Sequence, residues 1–318
     1  MDSAAQVHGP RADVADPPAP PSTNAPTTVN AAAVIDESVL SAVGAELQPH
    51  VAWYTGYYQA GVAPAVHRGL PSPRLTVIFT LDDPVTLISH PDSRQGPASY
   101  DALIGGLHTA PAIISHQGWQ SGIQLALDPL SARTLLGVPA GELARTVIPA
   151  DALLGRASGR LREQLGAAAT WPERFAVIDR LLPQLARDYG AAPPEVARAW
   201  RLLLGTGGRI PIAALAREVG WSERHLSGRF RTEIGLTPKA AARVIRFDRA
   251  RRLLAPPPRF APSASTRLAD LAADCGYFDQ AHLAREFRSL AGCAPTEWVA
   301  EEFRNVQAGG SDPAADWS

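Results

Sequence analysis

With 318 residues, 46% of them apolar, the chain has room for about two domains with sizeable cores. No apolar run reaches the roughly 18 residues of a membrane span, and the start, Met1 to Pro20, lacks a cationic stretch followed by an apolar one. Neither a membrane partner nor a secretory leader is expected, and a cytoplasmic location is. The formal net charge of −1 hides an asymmetry: Gly205 to Arg304 carry 16 Lys+Arg against 11 Asp+Glu, while the rest carries 14 against 20. A locally basic segment on an acidic body can hold a polyanion without making the whole surface adhesive.

The first 45 residues are rich in Ala, Pro, Thr and Asp, without apolar periodicity. They are expected to be a disordered tail, with at most a helical turn near Val34–Val43. Strand signals follow. Leu75, Val77, Phe79 and Leu81 alternate with Arg74, Thr76, Ile78 and Thr80. The stretches VTLIS, AIISH and SGIQLAL are further strand candidates, separated by Pro, Gly and Asp. A small antiparallel β barrel or sandwich is therefore predicted from about residue 46 to 128, within a β-rich domain spanning 46–190. Thr170-Trp-Pro-Glu173 reads as a capping box for a helix that Pro183 interrupts. A second helix is predicted from Pro194 to Gly205, with Val196, Trp200 and Leu203 in register. Residues 195–304 form a second, all-α domain, and 305–318 a second disordered tail.

Enzyme chemistry finds little footing in the front half. His67, His90, His108 and His116 lack the tight His-x-His with a downstream Glu that metal-binding barrels favour, and read as scattered loop residues. Ser115-His-Gln-Gly-Trp119 is not a nucleophile elbow, and neither a phosphate loop nor a dinucleotide fingerprint is present. No catalytic residue, metal or cofactor is expected. Trp53, Tyr54, Tyr57 and Tyr58 fit either strand packing or an apolar pocket with polar tips. Cys275 and Cys293 match no disulfide or zinc pattern and read as small buried hydrophobes.

The back half repeats itself. SERHLSGRFRTEIGLTP from Ser222 and DQAHLAREFRSLAGCAP from Asp279 share Leu, Phe, Arg, Gly and Pro at the same places. The copies extend backwards: Ile212, Leu215, Ala216 and Val219 form an i, i+3, i+4, i+7 stripe ending at Gly220. Leu268, Leu271, Ala272 and Cys275 do the same ahead of Gly276. The single extra residue of the second copy falls in the turn, where two helix-turn-helix units tolerate it. Glycine supplies the positive φ that ends the first helix, and Ser222 and Asp279 are N-caps for the second.

In a helix-turn-helix the second helix lies in the major groove and reads base edges from its N-terminal part. The outward positions are Arg224, Ser227 and Gly228 in the first copy, and Gln280, Ala281, His282 and Arg285 in the second. Base reading is therefore assigned to Arg224, Ser227, Gln280, His282 and Arg285. Arg suits guanine and Gln suits adenine. Ser222, Arg229, Arg231 and Arg288 suit phosphates, which position without specifying. The joining segment, Pro238 to Leu254, has an apolar stripe through Val244, Phe247, Ala250 and Leu254, and arginines at 243, 246, 249, 251 and 252.

The stretches IAALAREVGWSERHLSGRFRTEIGLTP, RFDRARRLL and LADLAADCGYFDQAHLAREFRSLAGCAPTEW resemble the DNA-binding domain of the AraC/XylS family of transcriptional regulators. That resemblance implies seven helices, two of them reading successive major grooves of duplex DNA, and control of transcription, with RNA polymerase as the expected partner. Two departures stand out. Gly228 replaces the Arg or long polar residue common in the family, which predicts that copy one reads chiefly through Arg224. The Pro-rich stretch at 255–266 is longer than usual and is expected to loosen the coupling between the copies. HRGLPSPRLTVIFTLDDP and GVPAGEL resemble the front domain of a group of these regulators, which implies a cupin-like β domain that senses a small-molecule effector or mediates a homodimer. The alternatives are a constitutive or protein-partner-controlled regulator whose front domain only dimerises, and, less favoured, a cupin-type enzyme fused to a DNA-binding domain.

Overall fold

The computed structural model describes residues 34–186, 189–255 and 268–307, which form ten antiparallel strands, eleven α-helices and three short 3-10 helices. The strands form two sheets. The larger has the order β1 (Ile35–Ser41), β2 (Val51–Ala60), β9 (Trp119–Leu127), β4 (Leu75–Thr80), β7 (Ala102–Gly105) and β10 (Val147–Pro149). The smaller runs β3 (Ala65–Gly69), β8 (Ala112–His116), β5 (Val85–Ser89) and β6 (Ala98–Tyr100). The strands predicted over 74–81, VTLIS, AIISH and SGIQLAL are all present, the first as Leu75–Thr80 and the last extended back to Trp119, and they are arranged as a two-sheet sandwich.

Alternation explains the layering, because successive side chains of a strand face opposite sides. Leu75, Val77, Phe79, Ile123 and Leu125 of the larger sheet share a core with helices α3 (Arg156–Ala167) and α4 (Trp171–Leu181). Ile78, Leu103 and Val147 point the other way and meet Leu87 and Ala112 of the smaller sheet. Helix α4 opens with the predicted capping box: Glu173 N–H donates to Thr170 Oγ1, while Glu173 Oε2 accepts from Thr170 N–H. It stops at Leu181, ahead of Pro183.

One expectation is corrected here. Residues 35–41 are a strand, not part of a disordered tail and not a helical turn; Ile35 to Ser41 pair in register with Ala60 to Tyr54. The strand IDESVLS lies at the sheet edge and buries none of its residues fully, so backbone pairing rather than hydropathy forms it. The tail is also anchored beyond the strand, where Gly44 N–H donates to Asp179 Oδ1. At the other end, residues 305–307, expected in the second tail, continue the last helix, Pro295–Gln307. Residues 1–33, those after 307 and the Pro-rich stretch beyond Ala255 lie outside the described residues.

Seven helices follow: α5 (Pro194–Gly205), α6 (Ile212–Glu218), α7 (Glu223–Ile234), α8 (Pro238–Leu254), α9 (Leu268–Asp274), α10 (Gln280–Ala291) and α11 (Pro295–Gln307). Helix α8, 17 residues and about 25 Å long, joins the two repeated units. Its buried Val244 and Phe247 pack with Trp200, Phe230, Phe287 and Trp298 in a core continuous with that of the β sandwich.

Candidate DNA-binding surface and interior cavity

The repetition in sequence is a repetition in geometry. Gly220 and Gly276 adopt φ of 72° and 76°, where a side chain would be strained. The next amide in each copy reaches back over the turn: Trp221 N–H donates to Ala216 O at 3.0 Å, and Tyr277 N–H to Ala272 O at 2.8 Å. This bond closes the first helix in the same way twice. Ser222 Oγ then accepts from His225 N–H at 3.2 Å, and Asp279 Oδ1 from His282 N–H at 2.6 Å. Leu226, Phe230, Leu283 and Phe287 are all 0% exposed, which fixes the rotation of α7 and α10 and decides which residues face outward.

Arg224, Arg229, Arg231, Gln280, Arg285 and Arg288 are exposed, and Ser227 and His282 are half-buried. Ser222 is exposed while its oxygen serves as the cap. His282 is partly occupied: its Nδ1 accepts from Phe278 N–H at 3.3 Å, and its ring stands edge-on to Tyr277 at 5.3 Å. His225 is the residue that sequence reasoning missed. It stands edge-on to Trp221 at 4.5 Å, in the same relation as His282 to Tyr277. Aligning the two copies places these histidines opposite one another, and that signal was available. Beside Ser227, a Cβ added at Gly228 would meet nothing within 4 Å, so packing does not require the glycine.

The arginines of α8 behave differently from a solvated coat. Arg243 Nε donates to Glu286 at 2.6 Å and ties α8 to α10. Arg246 Nη1 donates to Gly208 O at 2.7 Å. Arg251 and Arg252 both bind Asp248, which is only 4% exposed. The exposed cations named above on α7 and α10 are therefore set apart from arginines spent on holding the helices together.

Two polar fasteners join these helices to the β half. Arg133 of helix α1 (Ala132–Leu136) donates from Nε and Nη2 to Glu233 of α7. Arg68 of β3 makes a second fork to Glu301 of α11, at 2.9 and 3.2 Å, and its Nη1 donates to Ala291 O at the end of α10.

Between the sheets lies a cavity of about 610 Å³ whose wall continues onto the helical half. Trp53, Tyr57, His67, His108 and His116 line it from the strands and the loop after β7; Leu204, Ile245, Arg249 and Trp298 line it from α5, α8 and α11. The aromatic quartet of β2 thus divides: Trp53 and Tyr57 face the cavity, whereas Tyr54 faces the helices, 0% exposed, with its hydroxyl within hydrogen-bonding distance of both Asp179 and Ala42 O. Three of the four histidines expected on surface loops instead face this cavity, and His90 is buried. The reason is strand placement: His67 and His116 sit on paired strands with ring centres 6.0 Å apart. Burial holds His67 near pKa 4, helped by His116, and burial holds His108 near 4 against the opposing hydrogen bond to Ala110 O. Among the described residues no group of three or more His, Cys, Asp or Glu is placed to hold a metal ion.

Residues 215–301 match the family model described as a helix-turn-helix domain. The C-terminal part of the chain is an AraC-type helix-turn-helix domain. It makes the protein a DNA-binding transcription regulator. Solved structures similar to the AraC-type domain include the C-terminal domain of AraT, a response regulator from Geobacillus stearothermophilus, at 20% identity, covering 35% of this chain and 88% of that one with a TM-score of 0.31. A probable AraC family transcriptional regulator from Rhodopseudomonas palustris is similar at 25% identity, covering 35% and 98%, TM-score 0.30. Beyond the AraC-type domain, an apo ToxT variant from Vibrio cholerae is similar over 78% of this chain and 96% of its own, at 11% identity and TM-score 0.47. No curated protein matches the chain. Among the described residues, no helix is long and apolar enough to cross a membrane.

Proposed function

We propose that α7 and α10 read two successive major grooves of one duplex, about 34 Å apart. Arg224 and Ser227 address bases from α7; Gln280, His282 and Arg285 address them from α10. Arg229, Arg231, Arg288 and the cap residue Ser222 hold phosphates. The observation that carries this reading is the pair of identically capped helices, each buried through Leu and Phe and each presenting exposed arginines. The division falls near residues 190–195, with a β-rich controlling domain ahead of the DNA-binding one, and the protein acts in the cytoplasm without catalysing a reaction.

Control by a small molecule is favoured over a front domain that only dimerises. A cavity of about 610 Å³ lies within the range of ligand sites, and its wall belongs to both halves of the molecule. A ligand that fits one mutual arrangement of the halves better than another would shift the population and, with it, DNA affinity. Homodimerisation and recruitment of RNA polymerase complete the proposal and rest on the kind of domain alone.

Selection of bound duplexes from a random library by the full chain tests the reading. The expected product is a site with two conserved segments one helical turn apart, bound with an affinity that falls steeply with salt as counterions are released. Recovery of random sequence, or of a single segment, would refute it.

A further inference from the structure

Phe278 is 93% exposed, whereas the next most exposed large apolar residue among those described, Trp119, is 56% exposed. Water disfavours a bare aromatic ring, and a ring held this far out invites a partner. It also has no counterpart in the first motif. Gly220, Trp221 and Ser222 lead directly into α7, while Gly276, Tyr277, Phe278 and Asp279 lead into α10; Phe278 is the extra residue of the turn. The turn is nevertheless held firmly. Phe278 N–H donates to His282 Nδ1, His282 leans on Tyr277, and Tyr277 is 5% exposed. The backbone is thus fixed from below and the ring alone is left outside.

Position supplies the partner. Phe278 directly precedes the N-cap Asp279 and lies at the same end of α10 as Gln280, the end that enters the major groove in a helix-turn-helix. On the floor of that groove, the methyl group of thymine is the apolar feature that a phenyl ring can contact. Phosphates and polar base edges already have Arg285, Arg288 and Gln280 to meet them. We infer that Phe278 is a specificity-determining contact to a thymine methyl, at a base beside those addressed by Gln280 and Arg285. This rests on the proposal that α10 reads the major groove.

The test uses the full chain and a selected site in which each thymine is replaced, one at a time, by uracil, which lacks only the methyl. At one thymine beside the α10 segment, wild-type affinity falls about three- to five-fold, the size of one buried methyl. Phe278→Ala loses a similar factor on the thymine site and shows no further loss with uracil there, while its thermal midpoint stays that of the wild type. Phe278→Leu keeps part of the discrimination. Insensitivity of the wild type to every uracil replacement overturns the inference. So does a Phe278→Ala effect that is equal on all sequences, since that would mark a backbone contact. Failure of the wild type to bind any selected duplex refutes the reading beneath it as well, and shows before a variant is made.

Discussion

Arg133 and Glu233, 100 residues apart in the chain, form a forked ion pair with N–O distances of 2.8 and 3.0 Å, and the Glu233 side chain is only 3% exposed. Glu233 belongs to the last turn of α7, so the proposed DNA-reading helix of the first motif is fastened at its far end to the β half. Gly141 lies beside this pair with so little room that an added Cβ would fall 2.1 Å from Thr232 O of the same helix.

Breaking this fastener strands a buried carboxylate. Arg133→Ala is expected to destabilise the chain by roughly 2–4 kcal/mol, below the fully buried range because Arg133 is 28% exposed. In urea melts the double variant Arg133→Met with Glu233→Gln should recover much of that loss, because it removes the uncompensated charge. Gly141→Ala should weaken the same junction and raise amide exchange at the end of α7.

Gly228 sits inside α7 with open space around it. Gly228→Ala should stabilise the protein by about 0.5–1 kcal/mol in a melt, since glycine in a helix interior is entropically unfavourable. Gly228→Arg should add a reading arm and sharpen preference in the half-site bound by copy one. A change in stability without any change in selected sequence would confine the residue to a structural role.

Legibility in the sequence followed how local each feature is. Caps, terminal glycines and the stripes of α6, α7, α9 and α10 are set by residues within a few positions of one another, and both motifs could be read from them. The edge strand β1 could not, because it forms by pairing with β2 and buries almost nothing. Nor could the Arg133–Glu233 and Arg68–Glu301 forks, whose partners are brought together only by the finished fold. The histidines failed for a related reason: nothing near His67 or His108 in the chain announces that opposed sheets enclose them.

Those histidines make stability depend on pH. Burial keeps His67 and His108 near pKa 4, below the ordinary 6.5. Between about pH 6.5 and 4 the unfolded chain therefore binds more protons than the folded one, so stability rises with pH across that window and is lost on acidification. The melting temperature should be flat above neutrality and fall between pH 6.5 and 4. His67→Gln and His108→Gln should each flatten that slope; an unchanged slope in both would show that other groups drive acid unfolding.

The central claim, that exposed side chains of α7 and α10 divide into those that read bases and those that hold phosphates, is tested most directly by measuring Arg285→Ala and Arg288→Ala on the selected site and all its single-base variants at several salt concentrations. Arg285→Ala should erase discrimination at one base pair, worth about 1–3 kcal/mol. Arg288→Ala should weaken every sequence alike and lower the salt slope by about one. Unaltered base preference in Arg285→Ala, or the same uniform loss from both variants, would contradict the account.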